Sequence, residues 1–195
     1  MFQVKDQLAK IVSCTNVSEK HGKERVPALS IGFYLVGPSR LLDSFDTTLR
    51  PGLFRKPMPK PGELPLDSDD LTDLRFPFMR NLAWDRKYEG YLFRLHIGAT
   101  GTDDVLIGEC GMKDIRFVLQ EGGSVGIGFK ITAHPKDEVD HGRVATRLQQ
   151  EVIITLSPPD KVPDLFDGDD DEEQDDERDP FAGSDLAQDD TRIDA

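Results

Sequence analysis

The sequence predicts a mainly β protein: an antiparallel barrel, OB-like or related, with one or two short helices and a disordered acidic tail. Three observations lead to this prediction. Short runs of β-branched and aromatic residues recur between residues 8 and 156. Turn-forming residues separate these runs at the spacing of hairpins, not of βαβ units. After residue 159 apolar residues become few and acidic residues dominate.

The strand predictions follow from apolar alternation and from the turn signals between the runs. The run at 28–36 (ALSIGFYLV) ends at Gly37-Pro38, and the run at 91–97 alternates so that its apolar side chains share one face. Residues 90–157 are therefore expected to form a four- or five-stranded antiparallel meander. The other predicted strands are 8–12, 105–108, 115–119, 125–132 and 151–156.

Two short helices are predicted between the strands. Ser39 is a candidate N-cap for a helix at 39–46, whose apolar side chains fall on one side. A second helix is predicted at 141–150, where Val144 and Leu148 are spaced four apart.

Residues 51–70 interrupt this pattern because they contain five prolines. Proline at this density excludes a central strand or a helix interior, so the segment is predicted to be an extended, basic loop within a binding domain at 1–159. Long loops in compact domains are often functional. A surface linker between two parts of one domain explains the segment equally well.

Charge divides the chain into two parts. Residues 160–195 contain sixteen acidic and three basic residues, which accounts for the entire formal charge of -13. Residues 1–159 are formally neutral, so the low isoelectric point says little about the binding surface of the body. The tail has too few apolar residues to offset its ordering entropy, and disorder is predicted for it.

Cysteine content and hydropathy indicate the compartment. Cys14 and Cys110 form no CxxC pair, and core thiols are favoured over a disulfide between them. The N-terminal residues contain no apolar segment typical of a signal peptide, and no apolar run is long enough to span a membrane. A soluble protein of the cytoplasm is therefore expected.

Motifs of catalysis and of cofactor binding are missing from the sequence. The glycine-rich run at 121–129 (EGGSVGIGF) is interpreted as a hairpin turn followed by a strand, since no helix begins after it. The four histidines have no metal-ligand spacing with other ligand types. No enzyme activity, metal or cofactor is expected.

Basic and aromatic residues alternate in two regions, 47–60 and 75–94. Single-stranded nucleic-acid binders combine cations that neutralise phosphates with aromatic faces that stack on bases. The same aromatic residues could instead form the core, and Phe33 is a further stacking candidate. The predicted nucleic-acid-binding residues are Arg50, Arg55, Lys56, Lys60, Arg75, Phe76, Arg80, Trp84, Arg86, Lys87, Tyr88 and Tyr91.

Several segments of the body resemble a family of uncharacterised proteins from tailed bacteriophages and prophages. They are HGKERVPA at 21–28, LDSF at 42–45, LR at 49–50, LRFP at 74–77 and QEGG at 120–123. The resemblance implies a phage setting, and therefore the cytoplasm of a bacterial host cell. It implies no residue roles.

The overall organisation resembles bacterial and phage single-stranded DNA-binding proteins, in which a β-barrel body precedes an acidic tail with an apolar tip. Asp179-Pro180-Phe181, directly after an acidic run, is the local match. The resemblance implies that these three residues bind replication and recombination proteins of host or phage. It also implies that the tail competes with DNA.

Three functions are consistent with these observations. The favoured one is a phage single-stranded DNA-binding protein that acts in replication or recombination. In the second, the protein binds no DNA and its tail mimics nucleic acid as a decoy for a host protein. In the third, it is a virion accessory protein whose body forms homo-oligomers.

Overall fold

The computed structural model describes residues 1–21, 24–57, 70–98 and 101–159. The strands are Val4–His21 (β1), Glu24–Pro38 (β2), Phe54–Arg55 (β3), Asp73–Leu74 (β4), Asn81–Trp84 (β5), Tyr88–His96 (β6), Val105–Gln120 (β7), Ser124–Ala133 (β8) and Glu151–Ser157 (β9). The helices are a 3-10 helix at Ser39–Ser44, α1 at Leu49–Leu53 and α2 at Glu138–Ala145.

Six antiparallel strands close into a barrel in the order β1, β2, β8, β7, β6, β9, with β9 returning to β1. The segment β9-β6-β7-β8 is a Greek key, because β9 returns beside the first strand of the β6–β8 meander. The prediction of a mainly β antiparallel barrel is confirmed. An OB-fold has five strands, so this six-stranded barrel is a related architecture.

Closure depends on the length of β7, which has 16 residues. Its first part, Val105–Met112, pairs with β6, and its second part, Gly111–Gln120, pairs with β8. The short strand β5 pairs with residues 115–118 of β7, just beyond Met112, which pairs with the first residue of β6. Glu109 and Asp114 adopt positive φ values of 54° and 56° near register shifts, as at β-bulges.

The two strands predicted at 105–108 and 115–119 are one strand, β7, in the structure. They were separated in the prediction because polar residues interrupt the apolar alternation between 109 and 114. The expected four- or five-stranded meander is likewise corrected to three strands. The last strand, β9, follows α2 and pairs with β6 and β1. Strand β1 extends well beyond the predicted residues 8–12 in both directions.

The two helix predictions are correct in place but not in detail. Ser39 is buried inside the 3-10 helix, whose N-cap is Pro38, and no side chain caps it. Helix α2 begins earlier than predicted because Asp137 caps it, accepting a 2.7 Å hydrogen bond from the backbone N–H of Asp140. Val144 is buried, whereas Leu148 lies beyond the helix and is exposed.

The proline-rich segment contains more regular structure than predicted. Pro51 lies in the first turn of α1, where its missing N–H is tolerated. Phe54 and Arg55 then form β3, which pairs with β4. Residues 58–69 and 160–195 lie outside the described residues, and so do the loop and tail predictions made for them.

The core fills the barrel with side chains from alternate positions of its strands. Phe33 packs on Phe93 and Phe129 with ring centroids 5.5 and 5.7 Å apart. Cys110 is buried, Cys14 is partly buried, and both thiols are free. None of the helices described is both long and apolar enough to cross a membrane.

Candidate nucleic-acid interface

Arg75–Arg80 (RFPFMR), between β4 and β5, forms the most exposed aromatic feature among the described residues and is called the 75–80 loop below. The backbone N–H of Met79 donates to the carbonyl oxygen of Phe76 at 3.0 Å, which closes a β-turn with Pro77 at its second position. Phe78 therefore sits at the tip, where its side chain is 101% exposed. Phe76 is 49% exposed, so neither ring belongs to the core.

Backbone contacts hold both ends of the 75–80 loop against the barrel. The N–H of Arg75 donates to the carbonyl oxygen of Leu53 at 2.9 Å, and its Nε donates to the carbonyl of Phe54 at 3.1 Å. The carbonyl of Arg80 accepts from the N–H of Leu119 at 2.8 Å. Because both ends of the loop are already held in place, binding at its tip does not require the whole loop to become ordered.

Trp84 and Tyr88 lie at the edge of the core, on either side of the short connection at 85–87 between β5 and β6. The indole Nε1–H of Trp84 donates to the Tyr88 hydroxyl at 3.0 Å, and its ring packs near Phe45 and Phe117. The guanidinium of Arg86 lies 5.7 Å from the Trp84 ring centroid, in a cation–π arrangement. A base could reach Trp84 only by displacing Arg86 or by stacking on it.

Two predicted stacking residues are corrected by the structure. Tyr91 is 0% exposed, and its hydroxyl donates to the carbonyl oxygen of Phe2 at 3.0 Å. Phe33 is buried in the barrel core. Both occupy inward positions of alternating strands, so neither can contact a base in the folded protein.

The predicted cations differ in what surrounds them. Arg50 is mostly buried and lies 3.5 Å from the carboxylate of Asp43, which reduces its value for phosphate. Arg55 is partly buried in β3, and its Nε has no hydrogen-bond partner among the described residues. Lys60 lies outside the described residues. The exposed predicted cations are Lys56, Arg75, Arg80, Arg86 and Lys87.

A cleft of about 450 Å³ lies beside Tyr88, near the part of β7 that pairs with both β6 and β8. The Glu19 carboxylate lies between two side chains of the cleft, 3.5 Å from Nε2 of His134 and 4.0 Å from Nζ of Lys113. Glu89 and Glu109 also line it. This mixed charge makes the cleft a weaker polyanion site than the 75–80 loop. Across the described ranges, no cluster of three His, Cys, Asp or Glu residues could hold a metal ion.

The barrel and its surface define a closed antiparallel Greek-key body with an exposed basic and aromatic loop. Comparisons with family models, curated proteins and solved structures found no match. The predicted partner-binding residues Asp179, Pro180 and Phe181 lie outside the described residues.

Proposed function

We propose that this protein binds single-stranded DNA through the 75–80 loop and the adjoining connection at 85–87 between β5 and β6. The observation that carries the proposal is the exposure of Phe76 and Phe78 between Arg75 and Arg80. Large exposed aromatic rings have no role in the core, and contiguous ones mark binding surfaces. Flanking guanidinium groups give this surface affinity for phosphate.

Single-stranded nucleic acid fits this surface better than a duplex does. Unpaired bases offer their faces to Phe76 and Phe78, and each stacked base contributes roughly 1–3 kcal/mol. In a duplex the faces are covered by neighbouring bases, and only phosphates would meet Arg75 and Arg80. The loop contains no acidic residue that would oppose this contact.

The acidic tail fits the same proposal as a competitor and a recruitment segment. Its net charge of -13 lets it compete with phosphate for the exposed cations. Asp179-Pro180-Phe181 would bind replication or recombination proteins of a phage or its bacterial host. The protein would then act in the cytoplasm of that host.

A protein partner for the loop tip is the second candidate. Met79, 48% exposed, extends the apolar surface of Phe76 and Phe78 beyond what base stacking needs. Methionine and phenylalanine are both enriched at protein interfaces. In that case the loop would bind protein and show no affinity for oligonucleotides.

The deciding experiment is a fluorescence-anisotropy titration of labelled oligo-dT with the full chain at low salt. The double variant Phe76→Ala/Phe78→Ala should weaken binding by about 5- to 150-fold per lost stacking contact. Leu106→Ala, which removes an apolar side chain about as exposed as Phe76 from another part of the surface, is the matched control. If the wild-type chain binds no oligo-dT, the proposal is wrong.

A further inference from the structure

Five glycines occupy outward positions of the barrel wall in three neighbouring strands: Gly32 in β2, Gly108 and Gly111 in β7, and Gly126 and Gly128 in β8. Their outward position follows from alternation, because Ile127 and Phe129 point into the core. Glycine weakens a strand interior and often marks a place where another group approaches the backbone closely. Each of these glycines therefore requires an explanation.

The chain itself explains two of them. A β-carbon on Gly126 would lie 2.7 Å from Cζ of Tyr34, because the phenol ring runs across this position. A β-carbon on Gly32 would collide with the hydroxyl of Ser13. In both cases a neighbouring side chain uses the space that glycine leaves.

Gly128 has no such explanation. Its β-carbon would come no closer than 3.9 Å to the carbonyl oxygen of Phe33 and to Cδ2 of Tyr34, which is ordinary contact. Its φ is not among the positive values of the chain. Nothing in the described residues excludes a side chain here. Gly108 and Gly111 are equally open, but Gly128 differs from them because it lines a hollow that Arg116 and Lys130 also line.

The bare position forms the floor of a shallow hollow of about 240 Å³. Arg116 and Tyr34 are the cross-strand partners of Gly128 on its two sides. Arg116 is exposed and has no salt bridge within the described part of the chain. Lys130 also borders the hollow, where Asp114 holds it at 2.7 Å.

The hollow continues the surface of the 75–80 loop. Arg116 pairs with Ala83 of β5, which follows Arg80 by three residues. At about 3.3 Å per residue and about 4.8 Å between strands, Gly128 lies roughly 15 Å from Arg80 across the wall. A single strand bound at the loop can therefore reach the hollow by crossing β5 and β7.

We propose that the hollow beside Tyr34 is a second contact site for the same single strand. A base lies on the bare backbone at Gly128 against the Tyr34 ring, and Arg116 binds a neighbouring phosphate. The flat floor suits a planar ring, and the excess of cations over carboxylates suits a polyanion. This inference rests on the proposed function and extends the DNA-binding surface from the 75–80 loop across the outer wall of the barrel.

The test compares Gly128→Val with wild type on oligo-dT of about five and about fifteen nucleotides. Valine suits a strand and faces solvent here, so the fold should persist while the hollow is filled. Binding of the long oligonucleotide should weaken about fivefold or more, and binding of the short one should not change. Gly128→Ala, which fills less of the hollow, should have a smaller effect.

Ultraviolet cross-linking of the unmodified full chain to a long oligonucleotide containing 5-bromouracil gives a readout independent of the variants. Peptides containing Tyr34 should be labelled together with those of the 75–80 loop. If labelling is confined to the loop and Gly128→Val binds like wild type, this inference fails and the proposed function stands. If the wild-type chain binds neither oligonucleotide, both fail.

Discussion

The indole N–H of Trp84 donates a 3.0 Å hydrogen bond to the hydroxyl oxygen of Tyr88. The two residues flank the connection at 85–87, and they pair with Ile115 and Met112 of β7, so the bond links two strands that follow each other along β7, beside the 75–80 loop. Trp84 is the single tryptophan of the sequence, and Arg86 lies over its ring. The intrinsic fluorescence of the protein therefore reports on the edge of the candidate interface.

The first prediction concerns that fluorescence. Oligo-dT binding should change Trp84 emission, because phosphates attract Arg86 away from the ring or a base stacks beside it. Arg86→Gln should reduce this change while leaving the stability of the fold unaltered, since Arg86 is exposed. Binding seen by anisotropy with no change in emission would place the DNA away from Trp84 and the connection at 85–87.

The second prediction separates Tyr91 from the binding surface. Tyr91→Phe keeps the ring but removes the hydroxyl that donates to the carbonyl of Phe2, and should lower the free energy of unfolding by about 1–3 kcal/mol. Urea denaturation measures this loss. Oligonucleotide affinity of the folded variant should equal that of wild type. A selective loss of affinity without loss of stability would restore Tyr91 to the binding site.

Tyr91 also shows how far the sequence could predict the site. Alternation predicted that its ring shares one face of the strand with Phe93, Leu95 and Ile97, while the basic and aromatic composition suggested stacking on bases. The burial of Tyr91 decides for core packing over stacking on bases, because a ring inside a closed barrel cannot contact a ligand. For Phe76 and Phe78 the signal was Pro77 between them, which favours a turn and so an exposed tip.

Other features depend on contacts between distant residues and escape sequence patterns. Closure of the barrel requires β7 to pair with β6 on one edge and with β8 on the other, overlapping at Met112, and no local signal marks where each pairing begins or ends. The hollow at Gly128 exists because strands β2, β7 and β8 lie side by side. A glycine within a strand pattern shows that something approaches closely, but not what approaches it.

The third prediction concerns acid. The Asp104 carboxylate accepts from the backbone N–H of Ile97 and from Nε of Arg94, both at 2.7 Å, which holds its pKa below the ordinary value. A carboxyl group whose pKa is lower in the folded than in the unfolded state stabilises the fold at pH values above its unfolded-state pKa. This stabilisation is lost as the pH falls through the folded-state pKa. Asp104→Asn should cost about 1–3 kcal/mol at neutral pH.

Urea denaturation across the acidic range checks this prediction. The stability difference between wild type and Asp104→Asn should shrink as the pH falls below about 4, because the carboxyl group of the unfolded chain takes up its proton there before that of the folded protein does. Asp103→Asn is the control, since Asp103 is exposed and its pair with Arg143 is at the surface. A difference that stays constant down to pH about 2 would contradict the assigned role of the charge.

The fourth prediction concerns alkali. Burial raises the pKa of the Cys110 thiol from its ordinary value of 9.0 to about 12. The folded state therefore keeps a proton that the unfolded state releases, so stability falls as pH rises through the unfolded pKa. By pH about 10 the loss from this thiol should reach about 1 kcal/mol.

Two measurements test the thiol. Cys110→Ala should lose less stability than wild type between neutral pH and pH about 10, because it has no thiol to ionise. In the folded protein, thiol reagents should react very slowly with Cys110, and denaturant should make it fully reactive. Rapid labelling of native Cys110 would show that the barrel opens at β7 far more often than its burial implies.

The last prediction concerns the tail. A chain ending at Pro159 should bind oligo-dT several-fold more tightly than the full chain at low salt, because the truncation removes a net charge of -13 that competes with phosphate. The gain should disappear near molar salt, where the screening length falls to about 3 Å. Phe181→Ala, which retains every charge, is the matched control and should leave DNA affinity unchanged. Equal affinity of truncated and full chains at low salt would mean that the tail does not compete with DNA for the barrel.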